Sequence, residues 1–184
     1  MSLRLIKAAT IAENADELHL ARLLLLLNQA EKRSSKAVEG IMKLAKLDFL
    51  LRYPNCLERL LQAKNKKTEK AQILPHERTS IESKMIRFRY GPWDERYRRW
   101  LGLLVARGLA ITYLKGRTIY IELTEKGKET VEKLIQIDEY KILDTRSDEI
   151  YKTVGSESAT KLKDLIYKTF PEIIDMKWGE DIQI

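Results

Sequence analysis

The sequence predicts a mainly α-helical fold with one small β-hairpin, an α+β chain, on three observations. Apolar residues recur at three- and four-residue spacing in successive segments of the 184-residue chain, as helices with one buried face require. A single pair of alternating runs, in "LAITYLKGRTIYIELTEKG", flanks Lys115-Gly116 and has the form of a hairpin with glycine supplying positive φ at its turn. Pro54, Pro75, Pro92 and Pro171 fall between the periodic segments, where a missing N–H and a fixed φ are tolerated. With 44% apolar and 33% charged residues, the chain has the balance of a soluble globular protein large enough to bury a core.

Asn14 and Glu17 have the spacing of a capping box. The helix they open, over about residues 15–32, contains Leu18, Leu20 and the run Leu23–Leu27. Leucine covers more than one stripe there, so burial on several sides is expected. Ser34-Ser35 offers the next cap, for a helix over 36–52 with Val38, Ile41, Met42, Ala45 and Phe49 on one face. Tyr53, preceding Pro54, is biased away from the α region and ends that helix; "NCLERLLQAK" forms a third, over about 55–64. Residues 64–80 are polar, basic and interrupted by Pro75, as in a mobile connection. "SKMIRFRY" alternates, with Met85, Arg87 and Arg89 on one side and Ile86, Phe88 and Tyr90 on the other. This predicts a short strand, with a turn at Gly91-Pro92. Asp94 caps a helix over 94–108, with Tyr97, Trp100, Leu101 and Leu104 on one stripe and Arg99, Gly102 and Ala106 opposite. Gly108 is its left-handed cap.

In the hairpin, Ile119, Ile121 and Leu123 are expected inward, and Thr124 caps a helix to about 136 with Val131, Leu134 and Ile135 inward. Helix, hairpin and helix in that order predict a winged-helix core over 34–136, preceded by an N-terminal helix (1–33) that packs on the core or on a partner. Residues 137–184 then form a helical extension with polar connections and one clear helix, 157–170, carrying Leu162, Leu165, Ile166 and Phe170. Ile173, Ile174, Met176 and Trp178 lie near the terminus and are expected to dock on the body or on a partner.

The chemistry-bearing residue types are sparse. The sequence has no Gly-x4-Gly-Lys-Ser/Thr loop, no His-Glu-x-x-His and no Gly-x-Ser-x-Gly, so three common routes to nucleotide, metal and acyl chemistry are missing. Two histidines, His19 and His76, and one cysteine, Cys56, do not have the spacing of a zinc site. Cys56 sits among helical leucines, as a buried inert thiol does. The expectation is a protein with no catalytic residue, no metal and no cofactor. A lone cysteine excludes an internal disulfide and fits a reducing compartment, and the longest apolar run is far short of a bilayer span. With no apolar segment and cleavage site at the N-terminus, a cytoplasmic protein without membrane contact is expected.

The net charge of +7 is uneven: residues 61–100 carry eleven Lys/Arg against five Asp/Glu, and residues 101–184 thirteen against fifteen. A basic middle attracts a phosphate backbone or an acidic protein face, though a solvated basic loop has the same composition. Its centre, "RFRYGPWDERYRRW", interleaves arginines with five aromatics.

Two stretches, "KLAKLDFLLRYP" (43–54) and "RFRYGPWDERYRRWLGLLVARGLA" (87–110), resemble the middle-component proteins of bacterial ABC three-component systems, with which the accessory subunit of Lamassu-type anti-phage defence belongs. The resemblance covers about residues 36–136. Its distinctive parts are Lys46-Leu47-Asp48, Arg52-Tyr53-Pro54 and Arg89-Tyr90-Gly91-Pro92-Trp93. It implies a small non-catalytic subunit seated on an SMC/Rad50-like ATPase, with an effector subunit, often a nuclease, completing the complex. In that setting Pro54, Gly91 and Pro92 shape the chain. Arg52, Arg87, Arg89, Trp93, Arg96 and Arg99 become candidate contacts to the ATPase or to double-stranded DNA.

The alternative is a dimeric winged-helix transcriptional regulator. Its recognition helix would be 94–108, and the wing tip, Lys115 and Arg117, would touch phosphate. The first half of that helix, "DERYRR", mixes arginine with acid, and "LGLLVARGLA" is too apolar for a groove. The accessory subunit is therefore favoured.

Overall fold

The computed structural model describes residues 16–34, 37–78 and 84–184. Asn14 of the expected capping box and Ser35 of the second cap lie outside the described residues. The fold is mixed α+β, mostly helical, with a three-stranded antiparallel sheet and a two-stranded one. In order it comprises α1 (Asp16–Ser34), β1 (Val38–Glu39), α2 (Ile41–Arg52), α3 (Pro54–Ala63), β2 (Ile86–Phe88), β3 (Gly91–Trp93), α4 (Tyr97–Ala106), β4 (Ala110–Lys115), β5 (Thr118–Leu123), α5 (Glu125–Leu134), α6 (Asp138–Val154), α7 (Ala159–Thr169) and α8 (Glu172–Asp175).

α1 is the axis of the core. Residues 19–30 are buried without interruption, as the leucine run requires, because α2, α4, α5, α6 and β5 all pack on it. A helix apolar on every side has to be surrounded. Only part of the next expectation holds: the helix drawn over 36–52 begins at Ile41. Val38 and Glu39 are extended and pair with Ile121 and Tyr120 of β5, which gives the sheet the order β1-β5-β4. Two residues of strand carry no periodicity for a sequence to display. At the far end Pro54 occupies the first turn of α3 and Tyr53 leaves the helical region at φ −117°, as expected.

The described part of the 64–80 connection, which ends at Arg78, is tied down more than its composition suggests. Glu69–Ala71 and Pro75–Arg78 form single 3₁₀ turns, and Ala71 is buried. Arg146 of α6 reaches under them, donating to the Ala71 and Gln72 carbonyls at 2.8 Å each and to the Glu77 carboxylate at 2.6 and 2.8 Å. α6 itself was expected to be polar connection. Its inward face includes Arg146, Ser147 and Glu149 beside Ile150 and Val154, and those charged residues break the apolar stripe that would reveal a helix.

α4 keeps its expected stripe: Tyr97, Trp100, Leu101 and Leu104 are buried, while Arg99, Gly102 and Ala106 face solvent. Gly108 and Gly116 take the positive φ values, 68° and 61°, that their turns need. Thr124 caps α5, its hydroxyl accepting from the Gly127 amide at 3.0 Å. Gly127 is there for room: a Cβ on it would lie 2.1 Å from the Leu109 carbonyl oxygen, which already accepts from the Thr124 amide. Gly127→Ala should therefore destabilise by about 1–3 kcal/mol, although alanine is favoured over glycine within helices by about 1 kcal/mol. A urea midpoint at or above that of the native chain would show that the backbones separate without penalty.

The terminal segment docks, as expected, beside β2. The Ile182 amide donates to Met85 O at 2.8 Å, Arg87 N to Glu180 O at 2.8 Å and Gly179 N to Arg87 O at 2.7 Å. Ile173 and Ile182 are buried, whereas Ile174 and Trp178 stay exposed. Among the described residues no helix is long and apolar enough to cross a membrane.

Candidate partner interface

The motif stretches of α2 and its C-terminal end (46–48 and 52–54) meet the third (89–93), well beyond them in sequence, at one buried joint between α1, α2, α4 and the β2–β3 hairpin, to which the third contributes Gly91, Pro92 and Trp93. Asp48 is its centre. Its carboxylate accepts from Arg52 Nε at 2.7 Å, from Arg22 Nε at 3.2 Å and from the Tyr97 hydroxyl at 2.6 Å. Arg52 extends the network to Asp94 at 2.8 Å, and Asp94 also holds Arg96 at 2.8 Å. Burial opposes the charge on Asp48, but the Arg52 and Arg22 guanidiniums and the Tyr97 hydroxyl outweigh it and hold the carboxyl below its ordinary range. Asp94 behaves likewise: burial opposes, and the bonds from Arg96 and Arg52 win. Burial pushes the Tyr97 hydroxyl well up, so it remains the donor to Asp48.

Trp100 closes the joint. His19 stacks on it with centroids 4.1 Å apart, Tyr97 meets it edge-on, and the Arg52 and Arg96 guanidiniums lie 5.1 and 4.9 Å from its ring. Its indole N–H donates to Asp16 at 2.9 Å. Tyr53 ties the next motif to the hairpin and tail, accepting from the Met85 amide at 2.8 Å and donating to Ile182 O at 3.1 Å.

Lys46 packs under the hairpin, where a Cβ on Gly91 would sit 3.4 Å from its Cε. Its ammonium is buried and donates to Met42 O at 3.1 Å. Burial, with Lys163 adding to it, lowers the Lys46 pKa to about 8. Between that value and the unfolded lysine's, the unfolded chain binds more protons, so this group's contribution to stability improves as pH rises. Lys46→Met should stabilise the protein at pH 7 by about 1–3 kcal/mol. The difference between variant and native chain should shrink in denaturation curves taken from pH 7 to 10; a constant difference would place the ammonium in water.

Sorting the expected contact residues by exposure changes their roles. Arg52 is buried and committed to Asp48 and Asp94, so it is not available to a partner; at i+4 from Asp48 it faces inward with the core stripe. Arg87 is half-buried, bonded to Ile173 O and Phe88 O and lying over Tyr167, because the terminal segment covers its strand. Met85, on the same side, is fully buried. The hairpin also turns at residues 89–90, and Gly91-Pro92 belongs to β3, with Arg87 opposite Pro92. Trp93 packs between Phe88 and Tyr97, and Arg96 lies against Trp100 and Asp94. Arg99 is exposed but paired with Asp16 at 2.5 Å. Arg89, Lys115 and Arg117 remain exposed at the two hairpin tips.

Outside this set lies an open groove of about 470 Å³ between α4 and the β4–β5 hairpin, lined by Ile41, Leu101, Gly102, Val105, Ala106, Thr112 and Ile119 with Arg98 at its edge. Val105 is 41% and Ile119 38% exposed, and Leu114, paired directly opposite Ile119, is 69% exposed. Ile119 was expected inward; the hairpin instead projects beyond the core, so only Ile121 and Leu123 are covered. The small residues Gly102 and Ala106 below arginine were legible in the sequence, but the contributions of Ile41 and Ile119 depend on tertiary packing.

Cys56 is buried and burial pushes its thiol up, so thiolate chemistry is suppressed there. Comparison with protein-family models, with curated proteins and with solved structures gave no match.

Proposed function

We propose that this chain is a non-catalytic accessory subunit of an SMC/Rad50-like ATPase complex in anti-phage or anti-plasmid defence, working beside an effector, nuclease-type subunit. Support comes first from the motif stretches behind the resemblance, whose Lys46, Asp48, Arg52, Tyr53, Gly91 and Trp93 join in one structural unit. The observation that carries most weight is the character of the outer face: α4 presents Gly102, Val105 and Ala106, and Leu114 and Ile119 continue it on the hairpin. Such a face suits another protein.

The strand order β1-β5-β4, with α4 leading into the β4–β5 hairpin, supports a winged helix whose second and third helices, α2 and α4, are separated by α3 and the β2–β3 hairpin. The same order also fits a dimeric DNA-binding regulator, and Arg117 at the wing tip favours phosphate contact. A base-reading helix needs donors along its outward face, and α4 offers Arg98 and then small apolar residues, which argues against base reading. Duplex DNA contact remains part of the proposal only as a weak, salt-sensitive contribution from Arg89, Lys115 and Arg117. Co-expression with the products of the adjacent genes tests the proposal. An SMC-like ATPase should co-purify in stoichiometric amount; isolation of a free homodimer bound to a specific operator would overturn it.

A further inference from the structure

We propose that the groove between α4 and the β4–β5 hairpin receives an acidic amphipathic helix of a partner protein. This rests on the accessory-subunit function only for the partner's identity; the chemistry of the occupant follows from the groove. Its lining includes Ile41, Leu101, Val105, Thr112 and Ile119, and Leu114, paired directly opposite Ile119, continues that face of the hairpin toward the tip. Among the described residues nothing lies within 4 Å of a Cβ placed on Gly102, so a second helix can approach the α4 backbone closely. A ridge of apolar side chains at i, i+3 or i+4, and i+7 is the complement of such a trough.

Charge selects the flanks of that ridge. Among the described residues the lining contains one cation, Arg98, and no carboxylate, and Arg117 stands exposed at the hairpin tip. Neither arginine is paired with a described carboxylate. A helix with Asp or Glu beside its apolar ridge pairs with Arg98, and one that follows the hairpin to its tip also meets Arg117. A second copy of this chain does not fit: self-association across a two-fold axis sets the same face against itself, and that face, with no carboxylate among its described lining residues, offers Arg98 no counter-charge. DNA does not either, because Val105, Ala106 and Ile119 would be buried against base edges without a hydrogen bond.

The test is site-specific photo-crosslinking. A benzoyl-phenylalanine at Val105 or Leu114, in the full chain co-expressed with the products of its adjacent genes, is irradiated and the joined peptide sequenced. The expected adduct is one segment with apolar residues at helical spacing and net negative charge. Arg98→Glu with Arg117→Glu should weaken capture at least tenfold at low salt while the circular dichroism spectrum is unchanged, and acid-to-lysine changes in the captured segment should restore it. Adducts to DNA, to a second copy or to a segment without carboxylates overturn the groove assignment, as does the absence of any adduct. The outcomes separate from those of the function: an ATPase that co-purifies while Val105 and Leu114 yield no acidic-helix adduct removes the groove and leaves the accessory role. An acidic-helix adduct from a protein that is neither an SMC-like ATPase nor its effector, with no such ATPase co-purifying, does the reverse.

Discussion

Replacing Asp48 with alanine should cost about 3–5 kcal/mol of folding stability, the loss expected when one member of a buried ionic network is removed. The carboxylate is the shared acceptor for Arg52, Arg22 and the Tyr97 hydroxyl. Its removal deprives two buried guanidiniums of their shared carboxylate and Tyr97 of its acceptor. Arg52 keeps Asp94. Acid adds a second readout. The folded-state pKa values of Asp48 and Asp94 are depressed, so their contribution is complete above the unfolded carboxyl range, about pH 4. It disappears as pH falls through the folded values. Native protein should therefore lose stability steeply on acidification below about pH 4, and Asp48→Ala should lose less over the same interval. A variant with unchanged urea midpoint at pH 7 would mean that the network contributes nothing net.

Trp100→Ala should destabilise by about 3–5 kcal/mol, as truncation of a fully buried aromatic does. The indole is fully enclosed, and its removal opens a cavity against His19, Tyr97 and the two guanidiniums while orphaning the Asp16 bond. Trp100→Phe separates the contributions. It keeps most of the packed surface but not the indole donor, so it should fall between the native chain and alanine. A Trp100→Phe variant as unstable as Trp100→Ala would identify the Asp16 hydrogen bond, and not the buried surface, as the dominant contribution.

Helices with an uninterrupted apolar stripe were legible in the sequence, as were the prolines and glycines between them. α1, α3, α4 and α5, the β4–β5 hairpin and the Thr124 cap all follow from local pattern. What escaped was decided by distant partners. β1 is two residues long and exists because β5 offers it hydrogen bonds. α6 hides its stripe behind Arg146, whose guanidinium is buried only because the 69–78 turns supply carbonyls and Glu77. Arg52 has the same cause in reverse. Sequence marks it as a cation fit for a partner, yet Asp48 one turn earlier and Asp94 forty-two residues later draw it inside. Charge in a motif does not reveal which way it points.

The position of α1 at the axis of the core has a consequence for biosynthesis. Gln29 finds Asp144, and Arg33 finds Asp148, at a sequence separation of 115; at ribosomal speeds this is a delay of about 6–23 s. During that interval the leucine helix has emerged and the last helix that covers it, α6, has not. A nascent chain halted before α6 should therefore be a client for holdase chaperones, and its ribosome-bound stalled form should be captured by them more strongly than the finished protein.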